Sequence, residues 1–527
     1  MRQPEFWFGN SDQNKETEYG GGLVRRCLLL AGLCAVFTGP VSAQNNTAAI
    51  AARQWRQHHE RAIVDEFFSL LSLPNIARDK ADSQKNADLI KAMLEKRGIP
   101  SKLVSVPGSN PVVFGEIKTP GATRTIVFYA HYDGQPLDPK EWSTPPFQPV
   151  RRDGMIENRA ALIPLPDPKT SFNPEWRIYA RSSADDKAPI IAILTALDAI
   201  RSAGLPMKSN IKFAFEGEEE AGSPNFAKIL AANKELFSGD VWLNCDGPTH
   251  QTGRQLLVFG ARGISVVDIT VYGARIELHS GHYGNWAPNP AMMLAKLLAS
   301  MKGDSGRILI DHFYDGIEPL SETEKKAIAE APAIDNALMR EFWLGSTENA
   351  PKHLAELIML PSLNIRGMSS ARTGLQASNV IPVSATATID MRLVKGMDPT
   401  QTANRLIDHV RKQGYFVVES EPDESVRRAH PKVALIVLSQ GERAYRTSMD
   451  LPVSQEVIRT VESARGPTVK MPSSGATSPD AAGEVLGIPN IGVPIANYDD
   501  NQHSFNENLR IQNLWDGIEL MAALITM

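Results

Sequence analysis

Cysteine is scarce in this sequence, with 3 residues in a chain of 527. Cys27 and Cys34 lie close to the N-terminus, and Cys245 lies in the middle of the chain. If the N-terminal segment is removed, only Cys245 remains, and this excludes an intrachain disulfide. The mature fold is therefore not that of a small disulfide-stabilised domain.

Strong charge bias is also missing. The formal net charge is −5, and no Lys/Arg-rich run indicates a nucleic-acid groove, so we expect no nucleic-acid partner. Hydrophobic residues make up 42% and charged residues 22%, which is typical of a soluble globular protein. A chain of 527 residues is too long for one ordinary core, so we expect two domains.

The apolar run from Cys27 to Phe37 is too short to cross a bilayer comfortably. Arg25 and Arg26 precede it, and Val41-Ser42-Ala43 offers small residues for cleavage. Residues 1–43 thus predict a signal peptide for Sec or twin-arginine export, and a secreted or periplasmic protein without membrane contact after processing. The alternative is a buried N-terminal helix.

Short apolar runs that end in polar turns recur along the chain, as expected for buried strands of an α/β sheet. Helical segments at 188–202 and 508–527 accompany them, so the pattern predicts an α/β/α sandwich. Ligands of such sheets gather at the carboxyl ends of strands. The runs are Thr125–Ala130, Asn210–Phe215, Val241–Cys245 and Asn490–Ile495.

The chain changes character after residue 262. Segments 265–272 and 385–393 alternate apolar and polar residues like half-exposed strands, and segments 289–300 and 400–413 have helical spacing. This predicts a smaller α+β domain over residues 263–425. It would be inserted in a catalytic domain made of residues 50–262 and 426–527.

Acidic and histidine residues cluster at the predicted strand ends. Crowded carboxylates without a cation raise one another's pKa and destabilise a fold, and divalent metal removes this conflict. Mixed imidazole and carboxylate ligands suit zinc, with manganese or cobalt as substitutes, and a bridging carboxylate can hold two ions about 3.5–4 Å apart. The set is His131, Asp133, Asp185, Asp186, Glu219, Glu220, Asp246 and His503.

These residues lie in motifs that resemble those of the di-zinc metallopeptidases, a family that includes carnosinase-type dipeptidases, aminoacylase-1 and succinyl-diaminopimelate desuccinylase. The likeness is greatest to the branch of cytosolic non-specific dipeptidase and carnosinase, and it extends in order from about Ile63 to the C-terminus. The motifs are His131-Tyr132-Asp133-Gly134-Gln135-Pro136, Arg181 to Pro189 around Asp185-Asp186, Glu216 to Ser223, Leu278 to Gly284, Asn379-Val380-Ile381-Pro382 with Arg392, and His503 to Glu507.

The resemblance implies a zinc-hydrolase (phosphorylase/hydrolase-like) sandwich whose inserted α+β domain is a lid that dimerises. It implies that His131, Asp185 and Asp246 bind one zinc ion. It also implies that Asp185, Glu220 and His503 bind the other. Asp133 would orient His131, and Glu219 would act as the general base.

The resemblance also implies that the inserted domain binds the substrate. His279, reaching across from the partner subunit, would stabilise the oxyanion, and Asn379 and Arg392 would hold the carboxylate or carbonyl end of the substrate. Gly475 would let the backbone approach the substrate closely.

Together these features predict an enzyme that hydrolyses dipeptides or short peptides with a metal-activated water. One alternative is an N-acyl amino acid deacylase or desuccinylase, which would use the same ligands. Two others are a binding protein of this fold that has lost catalysis and a structural or adhesion protein of the cell envelope.

Overall fold

The computed structural model describes residues 45–167, 170–476 and 480–527. The predicted signal peptide, residues 1–43, lies outside these ranges. Within them, none of the helices combines the length and the apolar character that a membrane crossing requires.

A mixed sheet of eight strands forms the centre of the larger of the two main sheet structures. Its middle strand, Thr125–His131, is buried from Ile126 onward and runs parallel to both of its neighbours. Such full burial on both faces is expected when helices cover both faces of the sheet. In spatial order the strands are Ser101–Val104, Val112–Ile117, Asn210–Glu216, Thr125–His131, Val241–Asn244, Asn490–Gly492, Leu256–Val258 and Val469–Met471.

Helices pack on both faces of this sheet, so the predicted α/β/α sandwich is confirmed. Phe128 and Leu243 point into the larger core, and Tyr129 and Trp242 point into the smaller one, as the alternation along a strand requires. The helices of the larger core are Thr47–Leu71, Lys80–Lys96, Lys187–Ser202, Pro452–Arg465 and Ile511–Ile525. Those of the smaller core are Phe226–Ala232 and Lys234–Phe237, with the π-helix Ala482–Leu486.

The N-terminal helical region is divided in two. Helical spacing predicts helical structure from about Asn46 to Ala92, and the structure has two helices there, of which the first ends at Leu71 and the second begins at Lys80. Pro74 lies between them and cannot donate a backbone hydrogen bond, and the Asp79 side chain caps the second helix.

A second sheet of five strands lies at the predicted inserted domain. Its inward residues, such as Val267 and Ile269, pack against helices Pro290–Ala299 and Pro399–Lys412. One of its strands, Val433–Glu442, lies entirely after residue 425, where the insert was predicted to end. The spatial order is Ser362–Ser369, Ser384–Leu393, Gly263–Tyr272, Val433–Glu442 and Phe416–Val418.

The chain passes between the two sheets twice, and the two passages lie side by side. Gly260–Ala261 pairs with Tyr445–Arg446, and a Cβ atom on Gly260 would collide with the Tyr445 carbonyl oxygen. A Cβ on Gly263 would lie 2.5 Å from the Glu442 carbonyl oxygen, so both positions require glycine.

Short elements complete the described chain. They are the strands Val150–Arg152, Arg177–Tyr179 and Asn508–Arg510 in one sheet, the strands Leu278–His279 and Val380–Ile381 in another, the helices Ser280–Tyr283, Glu322–Glu330, Asp335–Glu341, Leu354–Leu357 and Glu424–Ala429, and the 3₁₀ turns Pro139–Glu141, Ile156–Asn158, Glu219–Ala221 and Gly374–Gln376.

Candidate metal centre

The predicted metal ligands and Glu219 meet at one edge of the eight-stranded sheet. Four neighbouring strands run parallel, so their carboxyl ends face the same side. The chemically reactive residues that lie at these ends or in the loops after them are His131, Glu219 and Glu220, Asp246, and His503.

Asp185 lies at the centre of this edge and belongs to two groups of potential metal ligands. One group joins it to His131 and Asp246 and the other to Glu220 and His503, with the ligand atoms of each group within 4.8 Å of one another. Asp185 Oδ1 is 2.9 Å from His131 Nε2, and Asp185 Oδ2 is 3.1 Å from His503 Nε2. Each carboxylate oxygen therefore faces a different imidazole, which is the arrangement that a bridging carboxylate needs.

The loop that carries Asp185 is held by Glu507. This buried carboxylate accepts hydrogen bonds from the backbone N–H groups of Ser182, Ala184 and Asp185, at 2.9, 2.9 and 3.0 Å. It also accepts one from Arg181 Nη1 at 2.9 Å. Sequence reasoning gave Glu507 no role, although it ends the motif that begins at His503.

The helix Lys187–Ser202 begins directly behind Asp185. The Asp185–Asp186 peptide bond is cis. Asp186 Oδ2 accepts a hydrogen bond from the His131 backbone N–H at 3.2 Å. Lys187 is buried and donates to the Leu70 carbonyl oxygen at 2.9 Å, and burial lowers its pKa to about 7. These contacts fix where the helix starts.

Asp133 contacts more of the site than the orienting role proposed for it requires. Its Oδ1 is 3.4 Å from His131 Nδ1, which is compatible with holding the imidazole. Its two oxygens also accept hydrogen bonds from the backbone N–H groups of Glu219 and Glu220, at 3.2 and 2.9 Å. Asp133 thus ties the glutamate turn to the strand that carries His131.

Two glutamines contact the cluster and were missed by the sequence reasoning. Gln135 Nε2 donates to Glu220 Oε2 at 2.7 Å, and Gln502 Nε2 donates to Asp185 Oδ2 at 2.8 Å. Gln135 lies in the first motif and Gln502 directly precedes His503, so adjacency to site residues was the available signal.

The pKa values show how strongly the cluster needs positive charge. Burial, with the nearby charge of Asp185, raises the pKa of Asp246 to about 6 and that of Glu220 to about 8. Its hydrogen bond to Asp185 raises the pKa of His503 to about 9. Burial opposes ionisation of Asp185, but its hydrogen bonds with His131 and His503 hold its pKa well below the usual range.

The donor set fits a pair of divalent cations. Two imidazoles and three carboxylates converge, and Asp246 Oδ1 is buried with no hydrogen-bond partner among the described residues. A buried carboxylate oxygen without a partner is costly, and a cation would satisfy it while lowering the raised pKa values. Nitrogen and oxygen donors of this kind suit zinc and similar metals.

The predicted substrate residues lie outside these two ligand groups in the described part of the chain. His279 and Asn379 are exposed neighbours, because the strands Leu278–His279 and Val380–Ile381 pair and Ser280 N–H donates to the Asn379 carbonyl oxygen at 2.9 Å. Arg392 is partly buried, with its Nε 3.2 Å from Asp390 Oδ1.

Gly475 lies in the loop after the edge strand Val469–Met471. A Cβ atom added to it would be 3.7 Å from the Ile358 side chain, an ordinary contact distance. Its lack of a side chain is therefore not required by packing within the described chain.

The sequence matches the model of peptidase family M20/M25/M40 over residues 127–527. It is 27% identical over 421 residues to the Beta-Ala-His dipeptidase of Homo sapiens, an alignment that covers 78% of this chain and 76% of that protein. It is 25% identical over 500 residues to the Cys-Gly metallodipeptidase dug1 of Schizosaccharomyces pombe, covering 88% of this chain and 95% of the relative.

Solved structures of peptidases have the same fold as this chain. The M20 family metallo-carboxypeptidase Sso-CP2 from Sulfolobus solfataricus superposes with a TM-score of 0.70 at 26% identity, covering 88% of this chain and 98% of that one. The dipeptidase Dug1p from Saccharomyces cerevisiae has the same fold, with a TM-score of 0.68 at 21% identity over 91% of this chain and 98% of its own.

The predicted secretion or periplasmic export is wrong. The fungal Cys-Gly metallodipeptidases that resemble this chain are cytosolic or lack signal peptides. The prediction relied on an apolar run after Arg25 and Arg26, but the 24 residues before Arg25 are long for the charged region of a signal.

The carboxylate shared by two ligand groups is the feature expected of a family that binds two metal ions together. The family match covers more than half of the chain, and the curated relatives are named as dipeptidases. The chain therefore belongs to peptidase family M20/M25/M40 and is an enzyme of the metallopeptidase class.

Proposed function

We propose that this protein hydrolyses the amide bond of dipeptides with two zinc ions and with Glu219 as the general base. The observation that supports this most directly is the position of Asp185, whose two oxygens face different imidazoles. The relatives named as dipeptidases favour peptides over N-acyl amino acids as substrates. A binding protein without catalysis is disfavoured, because every proposed ligand and Glu219 are retained.

The proposed ligands divide between the two metals. When bound, the metal pair polarises the scissile carbonyl and makes a water molecule more acidic. Gln135 and Gln502 orient two of the carboxylates through their amide groups. The first zinc would be held by His131, Asp185 and Asp246, and the second by Asp185, Glu220 and His503.

The surroundings of Glu219 support a role in proton transfer. It belongs to neither ligand group, so its carboxylate is available, and its Oε2 is 3.9 Å from His131 Nε2. Burial, with the charges of Asp246 and Glu220 nearby, raises its pKa well above the usual value. A carboxylate with a raised pKa accepts a proton from water readily and can then donate it to the leaving amine.

The lid residues would bind the substrate. We assign Arg392 and Asn379 to the carboxylate or carbonyl end, His279 to the developing oxyanion, and Gly475 to close backbone contact. The lid is proposed to comprise residues 263–442, which adds the strand Val433–Glu442 to the predicted insert of 263–425. The catalytic domain would then consist of the flanking segments 50–262 and 443–527.

The proposed homodimer through the lid would cover an exposed edge strand of the five-stranded sheet. The strand Ser362–Ser369 is the outermost of its sheet and exposes Ile365 and Met368. Trp286, near the predicted partner-reaching His279, is 78% exposed. Exposed apolar edge strands promote association, and a second copy would cover this one.

Mixing two inactive variants tests whether His279 acts in the partner's site. Glu219→Gln and His279→Ala should each be nearly inactive alone. After subunit exchange we expect about a quarter of the wild-type activity, because half of the dimers then contain one complete site. Activity that never exceeds that of the separate variants would place His279 in its own subunit's site or outside catalysis, and light scattering would show whether mixed dimers exist.

Metal replacement tests the proposed chemistry. After removal of metal by a chelator, Zn²⁺ should restore cleavage of glycyl-leucine, Mn²⁺ or Co²⁺ should restore part of it, and Mg²⁺ should not, since it prefers oxygen ligands.

N-acetyl-leucine, similar in shape, should be cleaved at least about 100-fold less efficiently. Faster cleavage of N-acetyl-leucine would favour the deacylase alternative.

A further inference from the structure

A large cavity lies between the eight-stranded sheet and residues of the lid. It has a volume of about 780 Å³, within the range that encloses whole small ligands. Its floor includes Leu256 and Val258 from one strand of the eight-stranded sheet, and its other side is formed by lid residues such as Ile328 and Ile358.

Two of the chain segments that line the cavity lead directly to proposed metal ligands, and a third belongs to the proposed substrate loop. Pro248 lines it and lies two residues after Asp246. Gly475 lines it from the proposed substrate loop, and Tyr498 lines it from the segment that leads to His503. A substrate bound at the metals would therefore have this cavity beside it.

The floor of the cavity is on the same side of the sheet as the smaller core. Leu257 points into the larger core, whereas its neighbours Leu256 and Val258 line the cavity. Trp242, which belongs to the smaller core, lies with Glu219 around a second, much smaller cavity of about 20 Å³. The general base and the large cavity thus share one side of the sheet.

Two of the charged residues that line the large cavity, Arg446 and Asp335, have close partners. Arg446 Nε is 3.0 Å from Glu324 Oε1, and both side chains are buried. His353 Nδ1 is 3.0 Å from Asp335 Oδ2. Most of the surface that lines the cavity is apolar and includes residues such as Ile358, and such a surface favours an apolar occupant.

The position of Arg392 indicates which end of a substrate enters the cavity. Arg392 lies opposite Ser362 in the five-stranded sheet, and Leu360, two residues earlier, lines the cavity. The Arg262 guanidinium links these positions, since its Nη2 donates to the Leu360 carbonyl oxygen at 2.6 Å and to Ser362 Oγ at 3.1 Å. A substrate carboxylate held at Arg392 would leave the side chain on the same residue close to the cavity.

We propose that this cavity binds the side chain of the C-terminal residue of the substrate and selects large apolar side chains. The substrate class is thus dipeptides that end in an aromatic or branched aliphatic residue. The inference rests on the proposed function, because it assumes a dipeptide with its carboxylate at Arg392.

Kinetics with three dipeptides test it. For the zinc-loaded protein, kcat/KM for glycyl-phenylalanine should exceed that for glycylglycine about 10- to 100-fold, the usual effect of burying such a side chain. Ile358→Trp, which fills the cavity, should reduce this ratio about tenfold. Ala333→Trp adds bulk from an exposed loop of the wall and gives a second test if the first variant is unstable.

Leu309→Trp is the matched control, because Leu309 is an exposed lid residue outside the cavity lining, and it should keep the wild-type ratio. Equal cleavage of glycyl-phenylalanine and glycylglycine would overturn the pocket but leave the proposed function intact. A preference for phenylalanylglycine over glycyl-phenylalanine would assign the cavity to the other residue and also overturn it. Failure to cleave any of the three would remove the proposed function itself.

Discussion

Replacing Glu219 with glutamine is expected to lower kcat about 10³-fold or more while two metal ions per subunit are retained. Glutamine has the same shape but cannot accept the proton from water. The Glu219 backbone N–H, which holds the turn through its bond to Asp133, is unchanged by the substitution. Steady-state kinetics on glycyl-leucine and elemental analysis of the same preparation measure both quantities.

Glu235→Gln is the matched control, since Glu235 is exposed on a helix away from the sheet edge and its variant should retain full activity. Glu219→Asp keeps the carboxylate but shortens its reach, so its kcat should lie between those of the wild type and Glu219→Gln. If Glu219→Gln retained wild-type activity, Glu219 would not be the general base. If it lost metal instead, its role would be that of a ligand.

The fold was largely predictable because the central strands are long, apolar and flanked by polar turns. Thr125–His131 and Asn210–Glu216 are each within one residue of the predicted ends. The peripheral strands Ser101–Val104 and Leu256–Val258 were not predicted, because three or four residues carry too little periodicity. The break at Pro74 was also missed, since helical spacing continues on both sides of it.

The convergence of the proposed metal ligands was predictable for a different reason. Chemically unusual residues placed at strand ends converge wherever the strands are parallel, and the structure brings His131 and His503 to the same carboxylate. The residues that were missed act through their neighbours. Glu507 contacts backbone N–H groups around Asp185, and no spacing rule reveals such bonds before the loop conformation is known.

The hydrogen bonds around Asp185 lead us to expect that metal binding is most sensitive to substitution of this residue. Its backbone is fixed by Glu507, and its side chain accepts a hydrogen bond from Gln502 at 2.8 Å. Both imidazoles depend on its charge, as their hydrogen bonds to it show. A substitution here should therefore affect both metals, whereas loss of a ligand at either end of the cluster should affect one.

Asp185→Asn is accordingly expected to lower the affinity for both metal ions by about 100-fold or more and to abolish turnover. The amide keeps the size of the side chain but removes the negative charge and offers a single oxygen. His503→Ala should lose one metal ion and keep the other, because His131, Asp185 and Asp246 remain together. Competition with a chromogenic chelator measures the two affinities.

Thermal unfolding of both metal-free variants would show that each remains folded. Gln512→Ala is a control for metal content, because the described hydrogen bond of the Gln512 side chain stays within the C-terminal helix. The two variants separate a bridging carboxylate from an ordinary ligand. If Asp185→Asn kept one metal ion with wild-type affinity, the two sites would not share this carboxylate, and each ion would have to be held by its own ligands.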